Sequence, residues 1–363
     1  MSWIAKPINK LNPEEKKQYT QLFKKFCDRG YNIPLSQTLT WGRAIYSSAG
    51  NVLLVYKDDL SCGGIVYSLK EGEWECVNGP LIDWKRDREE IKQELSMFIW
   101  AASKGANTAA STTASTGASN FKSFSLRPRL ESDWQITPEE KIAFPIDKYE
   151  YTATTYLELN NLELNNNKWS INKMRPSMRR SIRRMQEEDH TIKIVPIVSL
   201  SSKDRSKDKN SEVQIKNIHN KLQIHANKKN FYLPNIKWFE GLLSDSEENI
   251  EIYWGTIEHE HAESCADAGI LVIKVLDVAY YLFGYSNRQG NAKRNLNYTS
   301  LLHLKMIEWL DSNNSNIKIK YYDFNGYVSE IENVPEYAGV NFFKEGWNGR
   351  IKKYTTPCCL FTI

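Results

Sequence analysis

Lys344 has the setting most suited to chemistry. It lies in Gly339-Val340-Asn341-Phe342-Phe343-Lys344-Glu345-Gly346-Trp347-Asn348-Gly349, among phenylalanines and three glycines. A lysine held among aromatics sheds water, so its charge acts more strongly on whatever lies beside it. Glycines let the backbone approach a ligand closely. Together these would fix a cation where negative charge develops during a reaction. A surface lysine on a glycine-rich hairpin is the other reading of the same residues. Just upstream, Tyr321-Tyr322-Asp323-Phe324-Asn325-Gly326-Tyr327 alternates aromatic and polar residues up to a glycine, as a strand entering a loop does.

A second cluster is basic. Lys168, Lys173, Arg175, Arg179, Arg180, Arg183 and Arg184 occur with no acid until Glu187. Pro176 belongs in a first turn, which starts a helix near Met174. Met178, Ile182 and Met185 recur at helical spacing and face a core. Arg175, Arg179 and Arg183 fall one turn apart on another face, with Arg180 and Arg184 beside them. Like charges at that spacing cost about 0.2–0.5 kcal/mol per pair. A helix that tolerates several is suited to phosphates; a solvated face is the alternative.

Metal chemistry is not expected. His259-Glu260-His261 with Cys265 lies between two strand-like runs, 252–255 and 269–273, and reads as a polar hairpin turn. The six cysteines show no CxxC spacing, and adjacent Cys358 and Cys359 would point to opposite faces of a strand. Buried thiols in a reducing compartment fit this usage.

These groups need a scaffold, and 363 residues suffice for two domains with cores of their own. Hydrophobic residues at 41% and aromatics at 12% exclude a disordered chain. No apolar run reaches the length of a membrane helix, since Ala268 to Tyr285 is broken by Lys274 and Asp277. Met1 to Pro7 lacks the apolar core of a signal peptide, so a cytoplasmic address is expected.

In chain order, a helix is predicted over 12–30 and a short one around Gln37, Trp41 and Arg43. Strands follow at 51–56, 63–67 and 74–77, then an amphipathic helix over 86–104 with Ile91, Leu95, Phe98, Ile99 and Ala102 inward. Ala106 to Ser119 is rich in small residues and reads as a flexible loop. Further strands are expected at 124–130, 142–146 and 152–159, with Asn160 to Asn167 as a linker. Beyond the basic helix come a strand at 192–198, a charged loop at 201–210, helices at 212–230 and 238–243, and strands at 250–257, 268–276 and 278–285. A polar loop at 286–291, a helix at 298–312 and a strand at 317–324 complete the pattern. The class is α/β (α+β), with two halves that each carry a sheet flanked by helices.

The second half closely resembles the FemABX family, whose members transfer amino acids from aminoacyl-tRNA to peptidoglycan precursors. The likeness rests on the basic stretch Met174 to Arg184, on Tyr280 to Ser286 followed by Leu301 to Trp309, on Asp323-Phe324-Asn325-Gly326, and on Phe343 to Gly349. In the first half it is thinner: Gln37 with Trp41, and Gly79-Pro80 preceded by Asn78 where the family often has arginine. The resemblance implies two GNAT-like domains in tandem, here 1–153 plus 355–363 and 154–354. It further implies an aminoacyltransferase in which Lys344, next to Phe343, stabilises the transition state. The family's acceptor-binding arginine and tyrosine, four apart, fall on Lys228 and Tyr232. Tyr281, Tyr285, Tyr298 and Arg43 are the other expected substrate contacts, and Arg175, Arg179, Arg180, Arg183 and Arg184 the expected tRNA or phosphate contacts. Residues 201–230 are too few for the long helical hairpin some members carry.

The implied reaction needs an aminoacyl-tRNA donor, an amine-bearing acceptor such as a cell-wall precursor, and neither cofactor nor metal; a monomer is expected. Two rivals stand beside it. An acyl-CoA N-acyltransferase would use a pyrophosphate loop of the form Arg/Gln-x-x-Gly-x-Gly/Ala at a helix N-terminus, a spacing that Arg288-Gln289-Gly290-Asn291-Ala292 misses by one residue. A non-catalytic RNA-binding module would need the basic residues but not the pairing of Phe343 with Lys344.

Overall fold

A computed structural model describes residues 2–28, 34–70, 72–112, 123–127, 142–143, 153–159, 171–187, 190–198, 209–243, 250–259, 266–286, 298–312, 318–327, 337–353 and 358–359. Two compact units emerge. One comprises Met1–Asp147, Pro234–Asp245 and Tyr354–Ile363; the other comprises Lys148–Leu233 and Ser246–Lys353. The short helix near Trp238, placed by the sequence in the second half, thus packs with the first unit.

In the first unit, helix α1 (Pro13–Asp28) opens on a reciprocal cap. The Glu15 amide donates to Asn12 Oδ1 at 2.9 Å, and the Asn12 amide to Glu15 Oε2 at 3.0 Å. Helix α2 (Leu39–Ala49) is capped by Thr38 and stops at Gly50 in the left-handed region. The sheet runs in the order β1 (Trp3–Pro7), β2 (Val52–Lys57), β3 (Gly63–Lys70), β4 (Glu73–Val77), β5 (Ser123–Arg127). Its one parallel pair, β4 with β5, is joined through α3 (Arg88–Thr112), whose Ile91, Leu95, Phe98 and Ala102 are buried with Leu53, Val55 and Phe124. Helix α3 runs eight residues past the expected end. Ala106 to Thr112 is therefore helical, because alanine is the strongest helix former and Ala106 finds a place in the core. Residues 113–119 of the expected loop lie outside the described residues. A short pair, β6 (Ile142–Ala143) with β14 (Cys358–Cys359), also belongs here. So does α6 (Ile236–Leu243), which meets α2 through Trp41 and Trp238, edge to face at 5.1 Å.

In the second unit the sheet order is β13 (Arg350–Lys353), β7 (Ala153–Glu158), β12 (Tyr321–Asp323), β11 (Val278–Ser286), β10 (Ala266–Val275), β9 (Ile250–His259), β8 (His190–Val198). All neighbours are antiparallel except β11 and β12, which are joined through α7 (Tyr298–Ser312). Helix α7 lies on one sheet face, where Leu302 and Met306 fit over Gly255. Ile182 and Met185 of α4 (Pro176–Gln186) join the same core. Helix α5 (Lys209–Lys229) packs along β11. Strands β9 and β10 pair antiparallel, as a hairpin at His259-Glu260-His261 requires; residues 260–265 lie outside the described residues.

Helix α8 (Ala338–Gly346) corrects one expectation. The glycine-rich stretch is a helix and not a hairpin: Asn341, Lys344 and Gly346 are buried, while Val340 and Phe342 are exposed. Asn341 and Lys344, three residues apart, share one face of the helix, and their burial offsets the weak helix propensity of its glycines.

Candidate active site

Where β11 and β12 run parallel, their ladder ends at Tyr280 opposite Asp323, although β11 continues to Ser286. Parallel strands that part in this way leave a crevice at their carboxyl ends, the usual ligand position in open α/β sheets. The chain leaves β12 through a turn in which Asn325 (φ 54°) and Gly326 (φ 41°) are both left-handed. Asparagine and glycine tolerate that region best. The turn is held from below by Asp323. Its Oδ1 accepts from the Asn325 amide at 2.7 Å and from the Thr154 hydroxyl. Backbone bonds to β7 complete it: the Phe324 amide to Thr155 O at 2.9 Å, and Tyr327 with Ala153 in both directions.

This geometry aims the carbonyls of Asn325 and Gly326 at the Lys344 ammonium, which donates to both. Only 4% of Lys344 is exposed. Burial pushes its ammonium down to about 7, and the Asp323 carboxylate pulls it partly back. The wall beside it is aromatic. His303, fully buried on α7, is ringed by Tyr281, Tyr322, Phe324, Phe343 and Trp347 at centroid distances of 4.6–5.9 Å. Its Nδ1 lies 2.7 Å from Tyr322 Oη, while Nε2 has no hydrogen-bond partner among the described residues. Burial, reinforced by the Lys344 charge, holds His303 down to about 3, so it is a neutral imidazole. Phe343, half-buried, packs on His303, Phe324 and Trp347.

Glu345 faces another way. Its Oε1 accepts from Tyr327 Oη at 2.7 Å, and its Oε2 from the Arg175 guanidinium at 2.7 Å. Arg175 precedes α4, lies 5.4 Å above the Phe342 ring, and donates its amide to Gly346 O at 2.9 Å. Arg179 is half-buried and donates to Asn172 O at 3.0 Å; Arg180, Arg183 and Arg184 are exposed. The five expected phosphate ligands thus divide into two committed to local bonds and three facing solvent.

The expected substrate residues are scattered. Tyr281 and Tyr285, four apart on β11, are separated by an irregularity. Phe283 pairs with Leu271 and Tyr281 with Val272, so Leu282 is an extra residue. Tyr281 therefore sits against His303 on the α7 side, whereas Tyr285 stacks on Trp254 on the other side at 6.0 Å. Tyr298 is buried at the start of α7, edge-on to His190. Lys228 is exposed in the last turn of α5, and Tyr232, 76% exposed, lies beyond the end of that helix, so the two do not share a helical face. Arg43 is buried on α2 in the other unit. Arg288 to Ala292 lies outside the described residues.

Four contributors escaped sequence reading: His303, Thr154, Tyr327 and Glu345. The signal for His303 was a single imidazole inside the apolar run Leu301-Leu302-His303-Leu304. Those for Thr154 and Tyr327 were nil, because the first acts on Asp323 across 169 residues of chain and the second on Glu345 across 18.

No family model matches this sequence, and no curated protein does. Solved structures do. FemX superposes with a TM-score of 0.64 at 12% identity, over 98% of this chain and 96% of that one. The C-terminal domain of a putative lysylphosphatidylglycerol synthetase from Agrobacterium fabrum gives 0.51 at 13% identity, over 95% and 91%. L-PGS from Bacillus licheniformis gives 0.50 at 12%, over 94% and 90%. The chain thus has the mixed α/β fold of FemX, as the motifs around Arg175, Asp323 and Lys344 implied.

Proposed function

We propose that this protein is an aminoacyltransferase. It moves an amino acid from aminoacyl-tRNA to an amine of a peptidoglycan precursor or similar acceptor, forming an amide. The observation that carries this reading is the Lys344 ammonium, buried and oriented by the Asn325 and Gly326 carbonyls beside the parting of β11 and β12. The acceptor nitrogen attacks the ester carbonyl, and the carbonyl oxygen takes up negative charge. When the intermediate collapses, the carbon–oxygen bond to the ribose breaks and the amine's proton ends on the ribose oxygen. Lys344 offsets the oxyanion, and removing such a donor raises the barrier by roughly 3–4 kcal/mol. An aminoacyl ester is already activated, so the step needs no nucleotide hydrolysis.

The test is incubation with a pool of charged tRNAs and candidate acceptors, following which ester is consumed. A cell-wall precursor amine should gain the aminoacyl group, and Lys344→Ala should abolish the gain while tRNA affinity stays within a few-fold. Transfer to phosphatidylglycerol vesicles instead would overturn the amine acceptor but keep aminoacyl transfer. Acetyl-CoA turnover without tRNA would overturn the donor.

A further inference from the structure

Lys344 and Glu345 are neighbours on α8, yet both act on one short segment. Lys344 takes the carbonyls of Asn325 and Gly326, and Glu345 takes the hydroxyl of Tyr327, the next residue. Three consecutive residues of the turn are therefore gripped by two consecutive residues of the helix. A helix end cannot grip anything firmly unless it is itself held, and two bonds from Arg175 hold this one. The guanidinium meets Glu345 Oε2 and the amide meets Gly346 O. Phe342 lies under the same guanidinium, and Met178 fills the space over Gly346.

We propose that Glu345 is a positioning residue for Lys344: through Tyr327 it fixes the turn whose carbonyls orient the ammonium, and Arg175 completes this clamp. The clamp deepens the aminoacyl-transfer reading, but it is a statement about geometry that holds for any reaction using Lys344. It also removes Arg175 from the phosphate-binding set, since its guanidinium is taken by a carboxylate and an aromatic face. An anion competing for Arg175 would have to displace Glu345.

The measurement is solvent exchange of the Lys344 ammonium, read by NMR on protein labelled with 15N-lysine at pH 5.5, where the group is charged. Lys344→Arg assigns the signal by removing it. The buried Lys274 ammonium, paired with Glu251 at 3.1 Å in the same unit, serves as internal reference. Tyr327→Phe deletes one hydroxyl and changes no charge. It should speed Lys344 exchange roughly tenfold, the effect of losing one hydrogen bond to a charged group, and leave Lys274 unchanged. Glu345→Ala and Arg175→Ala should act in the same direction, with Arg175→Lys intermediate. Unchanged Lys344 exchange in Tyr327→Phe and Glu345→Ala would overturn the proposal, as would equal acceleration at Lys274, which would mean general loosening. No substrate enters this measurement, so its outcome is independent of whether tRNA is the donor. In the transfer assay, Tyr327→Phe should lower kcat and leave KM within about twofold.

Discussion

Lys344 and Asp323 hold the same turn. The ammonium takes the carbonyls of Asn325 and Gly326, while the carboxylate takes the Asn325 amide. The motif Asp-Phe-Asn-Gly is thus a mount for a cation, with left-handed residues where two successive carbonyls must point the same way.

The rate should fall as pH rises through about 7. Burial brings the Lys344 ammonium down to that value, so half of it is neutral there and only the protonated half can offset an oxyanion. A profile of kcat with a descending limb near neutrality, absent in Lys344→Arg, is the expected outcome. A rate that instead rose through 7 would assign the lysine as a base.

Stability should show the opposite trend. The folded value of Lys344 lies below its unfolded value of 10.5, so between the two the unfolded chain holds a proton that the folded protein does not. Stability attributable to this group therefore rises with pH from about 7 to 10.5. Urea unfolding of wild type and Lys344→Met at pH 7 and pH 10 should give a difference that moves toward wild type by a few kcal/mol. An identical difference at both values would contradict the buried cation.

Much of the fold was legible because its signals are local. Apolar spacing on α4, the Asn12 cap of α1, and the apolar run Val52 to Tyr56 along β2 each depend on residues within one turn or one strand. The parallel pair β11 and β12 follows from the long helix between them. Other features lay out of reach. The helix over 338–346 is hidden by its glycines, one of which, Gly346, is buried against Met178 of a distant element. The extra residue at Leu282 puts Tyr285 and Tyr281 on opposite faces, and a two-residue period drawn through β11 cannot register it. Lys344 was found by composition, but its partners Asn325 and Gly326 lie nearly twenty residues away.

Asp323→Asn should separate charge from architecture. The amide oxygen can still accept from Thr154 and Asn325, so the turn persists, but the charge that raises the Lys344 ammonium is gone. The descending limb of the rate profile should move to lower pH with the thermal midpoint little changed. Asp323→Ala, which strands the Asn325 amide, should cost a further 1–3 kcal/mol or so. A limb that stays in place in Asp323→Asn would mean that the carboxylate does not act on the lysine.

Two glycines near the site should respond unequally to alanine. A Cβ at Gly349 would lie 2.7 Å from the Tyr156 carbonyl oxygen, which is backbone of β7 and cannot move away. At Gly346 it would meet the Met178 methyl at 2.5 Å, the end of a flexible side chain. Chemical denaturation should give a loss of about 1–3 kcal/mol for Gly349→Ala and under about 1 kcal/mol for Gly346→Ala. The reverse order would show that α8 is held more tightly than β13.

The arginines of the basic helix should divide in the same way as their bonding. Arg180, Arg183 and Arg184 are exposed, so replacing all three by alanine removes charge and little packing. RNA affinity should fall, and the slope of log affinity against log salt should flatten by roughly 0.7–0.9 for each phosphate no longer neutralised, or about 2 to 3 in all. Thermal stability should hold, and kcat at saturating tRNA should be close to wild type. Arg175→Ala breaks the bond to Glu345 instead, so it should lower kcat and leave the salt slope unchanged. Fluorescence anisotropy over a salt series, alongside saturated rates, distinguishes the two classes. Equal flattening by Arg175→Ala and by single exposed arginines would return Arg175 to the phosphate-binding set.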